Sequence, residues 1–199
     1  GNGSLQGSQL SDNSEFRRQF NLFGTFTYPI TERFSGQVGL NWNKTHYDFR
    51  DLFGDGSDNA SAKRDFDAIL LPNVGLSYQI RNGSIYANVS RGFSNPSLEE
   101  TLTPGGVINP NIAQETGTNY ELGTEWMLLH KKLGVNLTAY RMDVKNLLVA
   151  QRVGEDQYIG RNAGKTRHQG VEIDLQYRGK LSSSVTFSPY LSYTLNDHN

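Results

Sequence analysis

The chain has 199 residues, a formal net charge of −1 at pH 7 and no cysteine. Disulfide scaffolds, thiolate metal sites and cysteine nucleophiles are therefore excluded, and the balanced charge gives no global case for binding nucleic acid. Mean hydropathy is −0.57, and no apolar run approaches the roughly 18 residues of a membrane helix. This composition suits a soluble protein. It equally suits a membrane β-barrel, in which only alternate strand residues are apolar.

Apolar and polar residues alternate along most of the chain, and this period of two predicts strands. The clearest stretch is 72–90, where Val74 and Leu76 alternate with polar or small residues and the pattern restarts at Ile85. The Asn82-Gly83 pair between the two halves predicts a type I′ turn, because both residues tolerate positive φ. In chain order, the predicted strands lie near residues 20–28, 34–43, 68–80, 84–93, 120–128, 133–139, 170–177 and 185–194. About eight strands and no confident helix predict an all-β, antiparallel up-and-down meander.

The connections between these strands alternate in length. Those near 29–33, 81–83, 130–132 and 179–183 are short, and those near 48–67, 94–116 and 143–165 are long. An alternating series places all long loops at one end of the sheet, which is typical of outer-membrane barrels. The meander is therefore interpreted as a segment of a transmembrane β-barrel.

The two faces of the predicted strands differ in chemistry. Apolar positions such as Trp42, Leu122, Trp126, Leu137 and Ile173 are expected to face lipid. The apolar face also carries aromatic residues close to the short turns, where they would form an interfacial belt: Tyr28, Phe34, Tyr78, Trp126 and Tyr177. The polar positions are expected to face a barrel lumen: Asn41, Glu121, Glu125, Asn136, Glu172 and Asp174. The alternative is a soluble β-rich carbohydrate- or protein-binding module with the apolar face buried inside.

Two stretches are more specific than the strand pattern. Residues 109–123 (NPNIAQETGTNYELG) and 162–173 (NAGKTRHQGVEI) resemble segments of TonB-dependent outer-membrane receptors. Residues 137–146 (LTAYRMDVKN) and 90–96 (SRGFSNP) are also similar to segments of that family, and they occur in the family's order. The resemblance implies that residues 1–199 are a partial receptor barrel domain lacking the plug, with 1–15 expected to be loop or disordered.

The same resemblance implies a function and partners. It implies a segment of a receptor in the outer membrane of a Gram-negative bacterium that imports a scarce nutrient, most often a ferric siderophore. The implied partners are that ligand, outer-membrane lipid and, through the absent plug, the TonB energy-transducing complex. No cofactor, no nucleic acid and no enzymatic activity are expected. Consistently, the sequence has no G-x-S-x-G motif, and its four histidines lack metal-ligand spacing.

Candidate ligand-binding residues are cationic and lie near the long loops. Cations at a loop base could hold an anionic iron chelate or a lipopolysaccharide phosphate. The alternative is that they pair with neighbouring carboxylates in the lumen and fix strand register. The candidates are Arg91, Arg161, Lys165, Arg167 and His168.

The first long loop is acidic. Its aspartates could offer hard oxygen ligands to calcium, but their spacing does not match an EF-hand, so a solvated acidic loop without a metal site is expected. These residues are Asp48, Asp51, Asp55, Asp58, Asp65 and Asp67.

Overall fold

The computed structural model describes residues 9, 12–56, 59–103, 107–155 and 157–198. Strands account for most of these residues, as the alternating pattern predicts. The elements are β1 (Asn13–Pro29), β2 (Phe34–Asp51), β3 (Ala62–Asp65), β4 (Ile69–Ile80), β5 (Gly83–Ser94), α1 (Leu98–Thr101), β6 (Glu115–Leu128), β7 (Leu133–Gly154), β8 (Gln157–Tyr177), β9 (Gly179–Lys180), β10 (Thr186–Phe187) and β11 (Tyr190–His198). Within the described ranges, no helix is long and apolar enough to cross a membrane.

The strands form one antiparallel meander. The sheet order is β1-β2-β4-β5-β6-β7-β8-β11, with β3 added alongside β2. The eight strands of this path confirm the predicted all-β, up-and-down fold. β1 and β11 are the two edges of the sheet, and in the part of the chain that the structure describes they do not pair with each other. The irregular segment expected at 1–15 lies mostly outside the described residues, and β1 already begins at Asn13.

The turn between β4 and β5 differs from the predicted type. Residues Arg81 and Asn82 form the turn between β4 and β5, and neither they nor Gly83 has positive φ, so the type I′ prediction was wrong. Positive φ occurs instead in the β6–β7 turn, at Leu129, His130 and Lys131. There, a backbone hydrogen bond from Lys132 N to Leu128 O closes the turn.

The third predicted long loop, 143–165, is a paired hairpin. β7 and β8 continue past the apolar part of their sequence and remain paired as far as Gly154 and Gln157. The polar residues of this stretch therefore extend a two-stranded ribbon. Asn146, with φ of 57°, marks an irregularity in the pairing, between Lys145 and Leu147. Such a bulge leaves one residue unpaired and increases the local twist.

The last predicted strand is interrupted once. Thr186 and Phe187 pair with Lys180 and Gly179 in the short β9–β10 ribbon. Pro189 separates β10 from β11, and proline has no N–H to donate to a ladder. Its carbonyl still accepts a hydrogen bond from Tyr177 N at 3.0 Å, so the hairpin continues through the interruption.

The register puts the apolar strand residues on one face and the polar ones on the other. Trp42, Leu122, Trp126, Leu137 and Ile173 all lie on the first face, where Leu122 is 60% exposed and Leu137 42% exposed. The five aromatic residues near the short turns lie on this face as well, at the short-turn end of the sheet. A soluble protein buries such a surface, whereas lipid covers it in a barrel.

Candidate functional site on the polar face

The six residues expected to face a lumen share the polar face of the sheet. Glu125, Asn136 and Asp174 occupy one row across β6, β7 and β8. Glu121 and Glu172 lie on the same face of β6 and β8, and Asn41 lies on the matching face of β2. The register thus gathers carboxylates and amides on the side opposite the apolar residues.

Hydrogen bonds between side chains tie this polar face together. The Tyr190 hydroxyl donates to Asp174 Oδ1 at 2.6 Å, and Asn119 Nδ2 donates to Glu121 Oε1 at 2.5 Å. The Tyr86 hydroxyl lies 3.0 Å from Thr138 Oγ1, two strands away. These carboxylates and hydroxyls therefore have hydrogen-bond partners on the polar face itself.

Residues 95–114 join β5 to β6, and the described residues of this stretch pack against the polar face; we call it the inner segment. Its described part contributes Ile108 to a buried cluster with Tyr47, Phe49 and Phe66. The rings of Tyr47 and Phe66 meet edge to face with centroids 5.1 Å apart. This cluster makes the loop end of the sheet the only place where the described residues form an apolar core.

Tyr47 anchors the start of the inner segment. Its side chain is 1% exposed, and its hydroxyl donates to the Pro96 carbonyl at 2.6 Å. Burial raises the pKa of Tyr47, although the positive charge of Arg17 lowers it in part. The phenol therefore stays protonated and keeps this hydrogen bond across the physiological pH range.

Amide side chains continue the attachment to β2. Asn95 Nδ2 donates to Thr45 Oγ1 at 3.0 Å, and Gln114 Nε2 donates to Asn95 Oδ1 at 2.7 Å. From β3, Arg64 Nη1 donates to the Asn109 carbonyl at 2.6 Å. Both ends of the inner segment are thus fixed to the same part of the sheet.

The inner segment also reaches the opposite part of the sheet. Asn162 of β8 accepts from Ala113 N at 2.6 Å and donates back to the Ala113 carbonyl at 3.0 Å. A Cβ at Gly160 would overlap the Glu100 carbonyl, so glycine permits the close approach of α1 to β8. Because β2 and β8 are not neighbours in the sheet, the inner segment braces two distant parts of its polar side.

An open cavity of about 630 Å³ lies between the inner segment and the β3–β4 connection. Lys63, Arg64, Asp65 and Asp67 bring charges of both signs to its wall. Burial lowers the pKa of Arg64, whose guanidinium also lies 4.4 Å from the Phe66 ring centroid. The cavity can therefore offer cations, carboxylates and main-chain groups to a polar solute.

The acidic first loop folds around Asp51. Its carboxylate accepts hydrogen bonds from the backbone N–H groups of Phe53, Gly54 and Ala60 at 2.9–3.0 Å. The same bonds, that from Gly54 first, lower the pKa of Asp51. Asp58 lies outside the described residues. Across the described ranges, the first loop included, no group of three or more His, Asp or Glu side chains is arranged to hold a metal ion.

The five candidate cations do not form one site. His168 lies on the polar face, where its ring stacks on His198 with centroids 6.3 Å apart. Arg161 lies in the extended ribbon and donates to Gln151 Oε1 at 3.2 Å. Arg91, Lys165 and Arg167 lie on the apolar face, beyond its apolar residues.

Arg167 does pair with a carboxylate, but on the apolar face and not on the polar one. Its Nε lies 2.9 Å from Asp143 Oδ1, and Arg141 Nη2 lies 2.9 Å from Asp143 Oδ2. All three side chains belong to the apolar face of β7 and β8. The sequence analysis identified these cations but not Tyr47 or Asn95. The contacts that hold the inner segment join residues far apart in the chain, so no local pattern marks them.

Comparison with known proteins agrees with the fold. The family model described as TonB dependent receptor-like, beta-barrel, matches residues 1–199. The chain is 26% identical over 158 residues to the metal-pseudopaline receptor CntO of Pseudomonas aeruginosa, covering 78% of this chain and 21% of the receptor. The chain therefore spans about a fifth of the length of that relative.

Solved structures show the same architecture. The siderophore receptor PiuA from Acinetobacter baumannii superposes with a TM-score of 0.69 at 20% identity, covering 93% of this chain and 26% of that one. The alcaligin outer-membrane receptor FauA from Bordetella pertussis gives a TM-score of 0.67 at 15% identity, over 95% and 32%. These relatives are named as receptors and not as enzymes. The chain belongs to the TonB-dependent receptor family and has the fold of part of its β-barrel.

Proposed function

We propose that this chain is part of an outer-membrane receptor of a Gram-negative bacterium that imports a ferric siderophore or a related metal complex. The observation that carries the proposal is the family match over residues 1–199, together with a sheet whose apolar face is exposed along its whole width. The relatives CntO, PiuA and FauA are named for a metal complex or for siderophores. Import by the whole protein would draw energy from the TonB complex through a plug domain.

The two faces fit this role. In a barrel, the apolar face would contact lipid and the polar face would line the interior. Glu121, Glu125, Glu172 and Asp174 would then meet water or solute inside the barrel. A soluble binding module would have to bury the apolar face under a second layer, and the described residues supply no such layer.

The inner segment would shape the passage. It lies on the proposed interior side, at the end of the sheet that carries the long connections. A ligand entering from outside would meet the inner segment and the charged cavity beside it before reaching the polar face. His168, on that face, and Arg161, in the ribbon above it, remain candidates for contact with an anionic chelate.

Uptake by the whole receptor tests the proposal. The complete gene would be deleted in its host, and uptake of radiolabelled iron would be measured with a panel of ferric siderophores and with other metal chelates. We expect loss of uptake for one ligand class and its restoration by the full-length gene. Unchanged uptake across the panel, with the protein present in the outer membrane of the parent strain, would rule out an import role for these ligands.

A further inference from the structure

Five cations cluster on the apolar face just beyond its apolar residues, and we call them the outer cationic patch: Arg91, Arg141, Lys145, Lys165 and Arg167. Each is exposed. The register places Arg91, Thr118, Asp143 and Arg167 in one row across β5 to β8. Asp143 is the one carboxylate in this row, so the five positive charges of the patch clearly exceed the negative charge among them.

The two lysines are the least expected members of the patch. Lys145 and Lys165 are direct cross-strand partners on the same face. Like charges placed directly opposite each other destabilise a sheet. Among the described residues, neither lysine has a carboxylate within 4.0 Å. An external anion would remove this repulsion.

The arginines leave capacity for the same anion. Arg141 and Arg167 share the single carboxylate of Asp143, and each remains 47% exposed. A guanidinium has five N–H donors, so one shared carboxylate leaves most of them available. Asp197 lies at the rim of the patch, where it accepts from Gln169 Nε2 at 3.3 Å.

The apolar residues next to the patch decide which anion fits. Tyr120 and Arg141 are cross-strand partners at the edge of the patch. The next row on the same face, toward the short turns, consists of Leu122, Ala139 and Val171. The cations begin one position beyond these apolar side chains and extend about 13 Å further along β7. A molecule that fills both surfaces must carry anionic groups at one end and hydrocarbon at the other.

We propose that the outer cationic patch binds the phosphate groups of a phosphorylated lipid in the outer leaflet of the membrane. The lipid's acyl chains lie against the apolar residues below the patch, and Lys145 and Lys165 contact its phosphates. This assignment rests on the outer-membrane location given under the proposed function. An iron chelate passing through the barrel interior has no access to this face.

Lipid binding to the purified full-length receptor in detergent tests the assignment. The probes are a bisphosphorylated glycolipid of the outer leaflet, phosphatidylcholine, and inorganic phosphate at the same phosphate concentration. The test variant is Lys145→Gln with Lys165→Gln. The matched control is Lys131→Gln with Lys132→Gln, which removes the same charge at the short-turn end of β6 and β7.

Each cation near a charged membrane surface strengthens lipid binding by roughly fivefold, so the double test variant should bind the glycolipid about 25-fold more weakly. The control variant should bind it like the unmodified receptor. Equal binding by test and control variants would overturn the proposal. Equal binding of inorganic phosphate and of the glycolipid to the unmodified receptor would also overturn it, because the patch would then be a site for free anions only.

The lipid-binding result can be interpreted separately from the import proposal, because the experiment measures lipid binding and not uptake. If the test variant fails to fold, the single variant Lys165→Gln replaces it, with an expected loss of about fivefold. Failure of lipid binding leaves the import experiment standing. A receptor without import activity can still be scored for lipid binding.

Discussion

The hydroxyl of Tyr86 on β5 lies 3.0 Å from Thr138 Oγ1 on β7, so the tyrosine ring crosses the intervening strand β6. Gly123 of β6 is the residue directly opposite Tyr86, and a Cβ at that position would overlap the ring. An aromatic side chain lying over a glycine compensates for the missing side chain and fixes the register of the strands. This contact joins three strands of the polar face.

We predict that Gly123→Ala destabilises the full-length receptor by about 1–3 kcal/mol, because the new methyl group forces the Tyr86 ring out of its position. Gly92→Ala on the same face is the matched control, since a Cβ there meets nothing within 4 Å. Urea unfolding of the receptor in lipid vesicles measures both. A Gly92 variant as unstable as the Gly123 variant would show that the effect is general to glycine in these strands.

The hydrogen bond between Tyr47 and Pro96 should hold the inner segment in place. Tyr47→Phe removes the donor and leaves a buried carbonyl without its partner, which costs about 1–3 kcal/mol locally. Hydrogen exchange of the backbone amides between 95 and 114 should therefore become at least about fivefold faster. Tyr158→Phe is the control, because Tyr158 is 55% exposed and no hydrogen bond of its hydroxyl is present among the described residues. Identical exchange in both variants would mean that the apolar cluster alone holds the segment.

The strand order was predictable from the sequence because it depends on local signals. A period of two in hydropathy fixes both the strands and their faces, and short turns force neighbours in the chain to pair. Leu137 and Asn136 thus fall on opposite faces in the structure, as the pattern predicts. The same pattern could not locate the end of β7, since the residues of the extended ribbon no longer alternate in hydropathy.

The site was less predictable because it depends on long-range contacts. Tyr47 and Pro96 are 49 residues apart, as are Ala113 and Asn162. Nothing local marks Tyr47 as a donor to the inner segment. Closeness in sequence was also a poor guide to a shared site. Arg167 and His168 are adjacent in β8, and consecutive strand residues point to opposite faces of the sheet.

The first loop should open at low pH because of Asp51. Its folded-state pKa lies below the ordinary value of 3.8, so the ionised carboxylate stabilises the folded loop. This contribution is fully present above pH 3.8 and is lost as the pH falls through the lower folded-state pKa. Proteolysis between 52 and 60 by an acid-active protease should therefore increase as the pH is lowered below 3.8.

Asp51→Asn should abolish most of this pH dependence, leaving the loop as susceptible above pH 3.8 as the unmodified loop is below it. Asp55→Asn is the control, since the Asp55 carboxylate makes none of the backbone hydrogen bonds that the structure gives Asp51. A pH profile unchanged by Asp51→Asn would assign the opening to another group.

The orientation of the two faces can be tested with one charge placed at adjacent positions of β7. Leu137 lies midway along the apolar residues of its strand, between Val135 and Ala139. Leu137→Lys should therefore cost about 2–4 kcal/mol, the penalty for a lysine facing lipid near the bilayer midplane. Asn136→Lys should cost little, because its cross-strand neighbours Glu125 and Asp174 are carboxylates on the polar face. Folding titrations of the full-length receptor into lipid vesicles measure both penalties, and equal values would mean that lipid does not cover the apolar face.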